Sequence, residues 1–129
     1  KERSFGVIVN IGSGSNKVPF PNLSSYTASK GGIEMFTKAA AVELGPYGIR
    51  VNCVAPGAIE IERTKLEAAS FSDSWANITP LRRIGTPEDV SGLVVFLASR
   101  EASFINGQTI WVDGAAFTQP HWPHEGYRK

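Results

Sequence analysis

Six consecutive residues, Gly6-Val7-Ile8-Val9-Asn10-Ile11, restrict the architecture of this chain more than any other stretch. The run is short and almost continuously apolar, and turn-forming residues follow it. That combination fits a strand buried on both faces, as in a parallel sheet covered by helices. A helical pattern comes next, with Ala28, Ile33, Phe36, Ala40 and Leu44 at roughly helical spacing and Ser25 as the N-cap candidate. Gly45-Pro46 stops it, because Gly suits a left-handed cap and Pro cannot continue a helix. A second strand is predicted over 49–55. Thr86-Pro87-Glu88-Asp89 then opens a helix with a cap, a Pro in the first turn and two acids. Val90, Leu93, Val94 and Leu97 form its apolar stripe, and a last strand falls near 109–112. Strands alternating with helices predict right-handed crossovers and an α/β fold. Residues 59–81 remain as a long connection of the kind that usually carries function. Leu66, Phe71, Trp75 and Ile78 give that connection an apolar lining.

Tyr26 and Lys30 stand four residues apart in the first helical pattern, on one face and one turn apart. A phenol beside a fixed cation is a candidate proton-transfer unit, since a nearby positive charge favours phenolate. Ser13 lies just beyond the first strand and supplies a hydroxyl. Tyr-x-x-x-Lys is a short motif, so its weight comes from its surroundings.

Those surroundings resemble the short-chain dehydrogenase/reductase family. Val9-Asn10-Ile11-Gly12-Ser13-Gly14-Ser15 is similar to the family's strand end and Ser segment, and the Tyr-Lys helix follows. Arg50-Val51-Asn52-Cys53-Val54-Ala55-Pro56-Gly57 resembles its strand ending in Pro-Gly. Arg82-Arg83-Ile84-Gly85-Thr86-Pro87-Glu88-Asp89-Val90 resembles the start of its last large helix. Residues 104–114, Phe-Ile-Asn-Gly-Gln-Thr-Ile-Trp-Val-Asp-Gly, resemble its final strand. The blocks fall in family order and span most of residues 6–116.

The resemblance implies the carboxyl-terminal part of a Rossmann-like, doubly wound parallel sheet with three α/β/α layers. Residues 1–116 would belong to that domain and 117–129 would form a tail. It implies an oxidoreductase that moves hydride between a nicotinamide, NAD or NADP, and a small-molecule carbonyl or secondary alcohol. Ser13, Tyr26 and Lys30 would be the catalytic residues, with Tyr26 as acid/base. Ile11, Tyr26, Lys30, Pro56, Gly57 and Ile59 would contact the coenzyme, and Ser13, Ser15 and Tyr26 the substrate. Ile61 departs from the family, which often has a Thr there for the nicotinamide carboxamide. Thr64 is a weaker substitute.

The family's glycine-rich phosphate loop is not recognisable in the sequence. Gly12-Ser13-Gly14 does not qualify, because the third glycine of the fingerprint falls on Lys17, and Pro19 and Pro21 follow. The expectation is therefore a chain lacking the amino-terminal dinucleotide-binding half. The alternative to an oxidoreductase is a catalytically incomplete fragment that serves only in packing or oligomerisation.

Composition narrows the remaining choices. Hydrophobic residues make up 42% and charged residues 19% of the 129, which excludes disorder. A net charge of +1 gives no electrostatic case for nucleic acid or a membrane surface. Cys53 is the one cysteine, so no internal disulfide can form, which suits the reducing cytoplasm, and no metal site is expected. Cys53 is expected in the core. An unpartnered first strand predicts association, and the family's habit implies a homo-oligomer, a dimer or tetramer. Phe117 and Trp122 are expected to pack across a subunit interface.

Overall fold

A computed structural model describes residues 5–67 and 70–118. Three parallel strands, β1 (Gly6–Ile11), β2 (Ile49–Pro56) and β3 (Thr109–Val112), lie in the order β1-β2-β3. β1 is in register with β2 from Gly6↔Ile49 to Ile11↔Val54, and β2 with β3 from Cys53↔Thr109 to Pro56↔Val112. The long α1 (Ser24–Leu44) connects β1 to β2. The short α2 (Glu62–Glu67) and α3 (Phe71–Ile78), then α4 (Pro87–Ala98), connect β2 to β3.

Alternation along β2 makes the sheet two-sided. Val51 packs with Ala40, Ala41 and Leu44 of α1. Val54, three residues on and therefore on the other face, packs with Val90, Leu93, Val94 and Leu97 of α4. The result is a three-layer α/β/α unit whose central strand is buried from Arg50 to Ala55.

Polar side chains knit the loop before β3 onto β2. Arg50 donates to the carbonyls of Ser99 and Ile105, at 3.1 and 3.3 Å. Asn52, with 0% exposure, donates to Ile105 O at 2.8 Å and accepts from Gln108 N at 3.0 Å. Asn106 accepts from Val51 N and donates to Ala41 O, which ties α1 to the same loop. Buried polar groups that are all partnered hold this connection in one conformation.

Several local expectations change. β1 is half-exposed, with Ile8 39% and Ile11 44% accessible, because among the described residues it pairs on one side only. Phe36 is 60% exposed and lies outside the buried stripe of α1. That helix begins at Ser24 with Leu23 as its N-cap and no side-chain cap bond, so Ser25 is not the cap. Gly45 is right-handed and opens a 3-10 turn with Pro46 and Tyr47; the left-handed residue is Gly48, φ 71°. At α4 the expected cap is present, with the Asp89 carboxylate accepting the Thr86 backbone N–H at 2.8 Å. Leu66 and Ile78 are exposed, while Phe71 and Trp75 are partly buried.

Candidate active site

Ser13 stands just past the carboxyl end of β1, on a turn whose shape two glycines permit. Gly12 prolongs the ladder by donating to Val54 O at 2.7 Å. A Cβ on Gly12 would lie 2.8 Å from Cys53 Sγ. Ser13 is extended, and its Oγ accepts the Ser15 N–H at 3.2 Å to open the 3-10 turn Gly14–Asn16. A Cβ on Gly14 would overlap the Phe117 ring. Both glycines are thus packing requirements. Burial pushes the Cys53 thiol up from its ordinary range. Ser15 is 1% exposed, and its Oγ has no hydrogen-bond partner among the described residues.

Tyr26 and Lys30 occupy the first turns of α1, beside that strand end. Lys30 Nζ donates to the Ile11 carbonyl at 3.0 Å and sits 5.7 Å from the centre of the Tyr26 ring. Tyr26 is 43% exposed. The Ser13 turn is tied to the same helix, because Asn16 donates to the Glu34 carboxylate. Glu34 also binds Lys38, one turn on, at 2.9 Å. The Lys38 contact, aided by Asn16, holds the Glu34 carboxyl below its ordinary value against the opposing effect of burial. Ile11, Ser13, Tyr26 and Lys30 therefore share the carboxyl edge of the sheet, where open α/β sheets bind ligands.

Pro56 and Gly57 end the neighbouring strand at that same edge. Gly57 donates to Val112 O at 2.9 Å, and a Cβ on it would meet Asp113 at 2.8 Å. Ile59 forms a bridge to Gly85. The Thr64 hydroxyl is engaged by the Ile61 backbone, accepting from its N–H at 2.9 Å and donating to its carbonyl at 2.8 Å. A cavity of about 470 Å³ is lined by Ile59, Thr79, Arg83, Trp111 and Asp113 among others. Ser13, Tyr26 and Lys30 are not in its lining.

Sequence reasoning missed an aromatic cluster beside the Ser13 turn. Phe117 packs within its own chain, against Gly14 and edge-on to Phe20 and Trp75, with ring centres 5.6 and 5.9 Å away. Phe20 and Trp75 meet edge-on at 6.0 Å, and Phe71 adjoins Trp75 at 6.3 Å. Phe117, expected at a subunit interface, makes this intramolecular contact and stays partly exposed; Trp122 lies outside the described residues. No local signal in the sequence pairs Gly14 with Phe117.

Comparison with known proteins identifies the assembly. A family model described as enoyl-(acyl carrier protein) reductase matches residues 1–115. The chain is 44% identical to a 3-oxoacyl-[acyl-carrier-protein] reductase of Chlamydia muridarum over 88% of its own length and 46% of that protein's. It superposes on a gluconate 5-dehydrogenase from Burkholderia cenocepacia J2315, crystallised with NADP and tartrate, with a TM-score of 0.85. There the identity is 38%, over 92% of this chain and 47% of the other. A short chain dehydrogenase/reductase family protein matches with a TM-score of 0.83 and 38% identity, over 91% of this chain and 48% of its own. The chain spans about half the length of these relatives, and the parallel sheet with helices on both faces is part of their Rossmann-like fold. The chain belongs to the short-chain dehydrogenase/reductase family of oxidoreductases.

Proposed function

We propose that this chain carries the proton-transfer half of a nicotinamide-dependent carbonyl reductase or alcohol dehydrogenase. The observation that carries the reading is the Lys30 ammonium held on the Ile11 carbonyl beside the Tyr26 ring, two residues before Ser13. Since the chain spans about half of its relatives, the activity is proposed for the protein with the rest of that fold present.

The donor set fits a nicotinamide nucleoside. Lys30 gives one N–H to Ile11 O, and an ammonium has further N–H groups to offer a ribose diol. Pro56 and Gly57 end β2 at the adjoining edge, and the backbone there and at Ile59 would face the nicotinamide. NAD or NADP, when bound, supplies or accepts the hydride. Tyr26 Oη gives its proton to the substrate carbonyl oxygen in reduction and takes the alcohol proton in oxidation. Ser13 Oγ donates a hydrogen bond to the same oxygen and orients it. Ser15 contributes its backbone N–H to Ser13 Oγ, and its buried side chain leaves substrate contact to Ser13 and Tyr26. General acid catalysis of this kind contributes about 10²–10⁴-fold.

The domain is proposed to run through residue 116, with residues 117–129 as a carboxyl-terminal tail. Homo-oligomerisation is proposed through the exposed apolar residues Met35, Phe36 and Val42 of α1 and Val95 and Phe96 of α4.

The test is carbonyl-dependent oxidation of NADH and NADPH by the full-length protein, with ketone and β-ketoester probes, for wild type and Tyr26→Phe. Loss of about 10²-fold or more in kcat with unchanged coenzyme affinity supports the reading. Equal rates in the two proteins would overturn it.

A further inference from the structure

We infer that Phe117 is a positioning residue for Ser13, and that it couples α3, which lies in the long 59–81 connection and is taken here to cover the substrate side, to the catalytic turn. The inference rests on the proposed role of Ser13 and adds a residue that the Ser-Tyr-Lys set does not contain.

Four observations converge. The first is the fit between Gly14 and Phe117. Gly14 is buried between Ser13 and Ser15, and the Phe117 ring takes the space a Cβ would need. The ring therefore bears directly on the backbone that presents the Ser13 hydroxyl. The second is a parallel contact one turn further along. Lys17 Nζ reaches Thr118 Oγ1 at 3.2 Å and lies 5.0 Å from the centre of the Trp111 ring. Gly14 and Lys17 of the turn are thus both seated on residues from β3 onward.

The third is the construction of the segment that delivers Phe117. Asp113 accepts the backbone N–H of Ala115 at 2.8 Å and that of Phe117 at 3.4 Å. Ala115 is held at φ 68°, in the left-handed region that an Ala side chain disfavours. Local strain of this kind persists where the surroundings over-determine it, and it clusters at functional sites. The fourth is the edge-on packing of Phe117 on Trp75 of α3 and on Phe20. One ring thereby touches both the catalytic turn and the segment that faces substrate. Lys30 is engaged elsewhere, with Ile11 and Tyr26.

A positioning role makes a specific kinetic demand. Without the ring, Gly14 is free to move and Ser13 loses its fixed direction, and a displacement of about 1 Å costs up to about 100-fold in rate. The coenzyme site is untouched. The substrate side loosens, because Trp75 loses a partner.

The experiment uses the full-length protein and the probes above. Phe117→Ala should lower kcat at least tenfold, raise KM for the carbonyl probe, and leave KM for the nicotinamide unchanged. Phe117→Tyr, which keeps the ring, should restore kcat to within twofold of wild type. Gly14→Ala should be severely impaired, and Gly14→Ala combined with Phe117→Ala should recover part of the thermal stability lost by Gly14→Ala alone. That recovery reads the packing without any turnover. Wild-type kcat in a folded Phe117→Ala protein would overturn the positioning role while leaving the proposed function standing. A wild-type protein that reduces no probe would overturn both. Strictly additive stabilities in the Gly14 and Phe117 pair would remove the contact on which the inference stands.

Discussion

Replacing Asn52 by Leu should destabilise the protein by about 2 kcal/mol although it touches no candidate catalytic group. The amide is fully buried and has two partners, Gln108 N at 3.0 Å and Ile105 O at 2.8 Å. Leu is similar in size, so the change adds little cavity cost and tests the hydrogen bonds. Gln108 N–H would lose its acceptor in a partly buried bond, at up to about 1–3 kcal/mol. Ile105 O would retain Arg50, which donates at 3.3 Å, so its loss is smaller. With a urea m-value of about 2 kcal/mol/M, a 2 kcal/mol loss moves the unfolding midpoint down by roughly 1 M. Arg50→Met supplies the sharper half of the test. In the double variant Ile105 O loses both donors, so the combined loss should exceed the sum of the single losses by about 0.5 kcal/mol or more. Urea unfolding of the full-length protein followed by circular dichroism measures all three. A midpoint within about 0.2 M of wild type for Asn52→Leu, or additive losses, would refute this account of the loop.

Lys30→Met should lower turnover and weaken nicotinamide binding together, because one ammonium serves the Tyr26 side and the ribose; nucleotide titration by fluorescence would show unchanged affinity if Lys30 has no coenzyme contact. The Asp89 carboxyl is held well below the usual carboxylate range, first by the Arg83 guanidinium and next by the Thr86 backbone N–H. Its folded pKa is depressed, so its contribution is present above the unfolded value of about 4 and is lost as pH falls from there. Melting temperature should fall more steeply below about pH 4 in wild type than in Asp89→Asn, and parallel slopes would contradict the pairing. Cys53 is buried with its thiol pushed up, so a thiol reagent at about pH 8 should label it only in urea. Stoichiometric labelling of the native protein would show that the strand opens.

What was legible in the sequence follows from which signals are local. The three strands and the start of α4 were readable because apolar runs, Pro in the first turn and acidic first-turn residues act within a few positions. The end of α1 at Gly45-Pro46 was readable, but the left-handed residue was not, since Gly45-Pro46 opens a 3-10 turn and passes that conformation to Gly48. Phe36 has the right spacing for the core, but the helix is wider than the strand face it covers, and a period alone does not say which edge of a stripe is buried. Tyr26 and Lys30 were legible because their separation is intrahelical. The anchoring of Lys30 on Ile11 and of Phe117 on Gly14 was not, because nothing in a linear sequence pairs positions 11 with 30 or 14 with 117.

The family-like blocks also divide into two kinds once the structure is known. Asn52, Asn106 and Gly107 belong to blocks that resemble the family, yet their bonds go to Ile105, Gln108, Val51 and Ala41 and hold a loop to the sheet. Asp89 caps a helix, and Gly12 makes room for Cys53. Matching these blocks therefore establishes the scaffold, and a scaffold hosts many chemistries. The chemical argument rests on fewer atoms: a hydroxyl on a turn whose glycines leave it little freedom, a phenol on the first turns of α1, and an ammonium fixed on the end of β1. Two of the three are held from outside the Ser-Tyr-Lys set, Lys30 by a main-chain carbonyl and the Ser13 turn by the Phe117 ring. Substitution of Phe117 should therefore change rate before it changes coenzyme binding, whereas substitutions in the Asn52 network should change stability first.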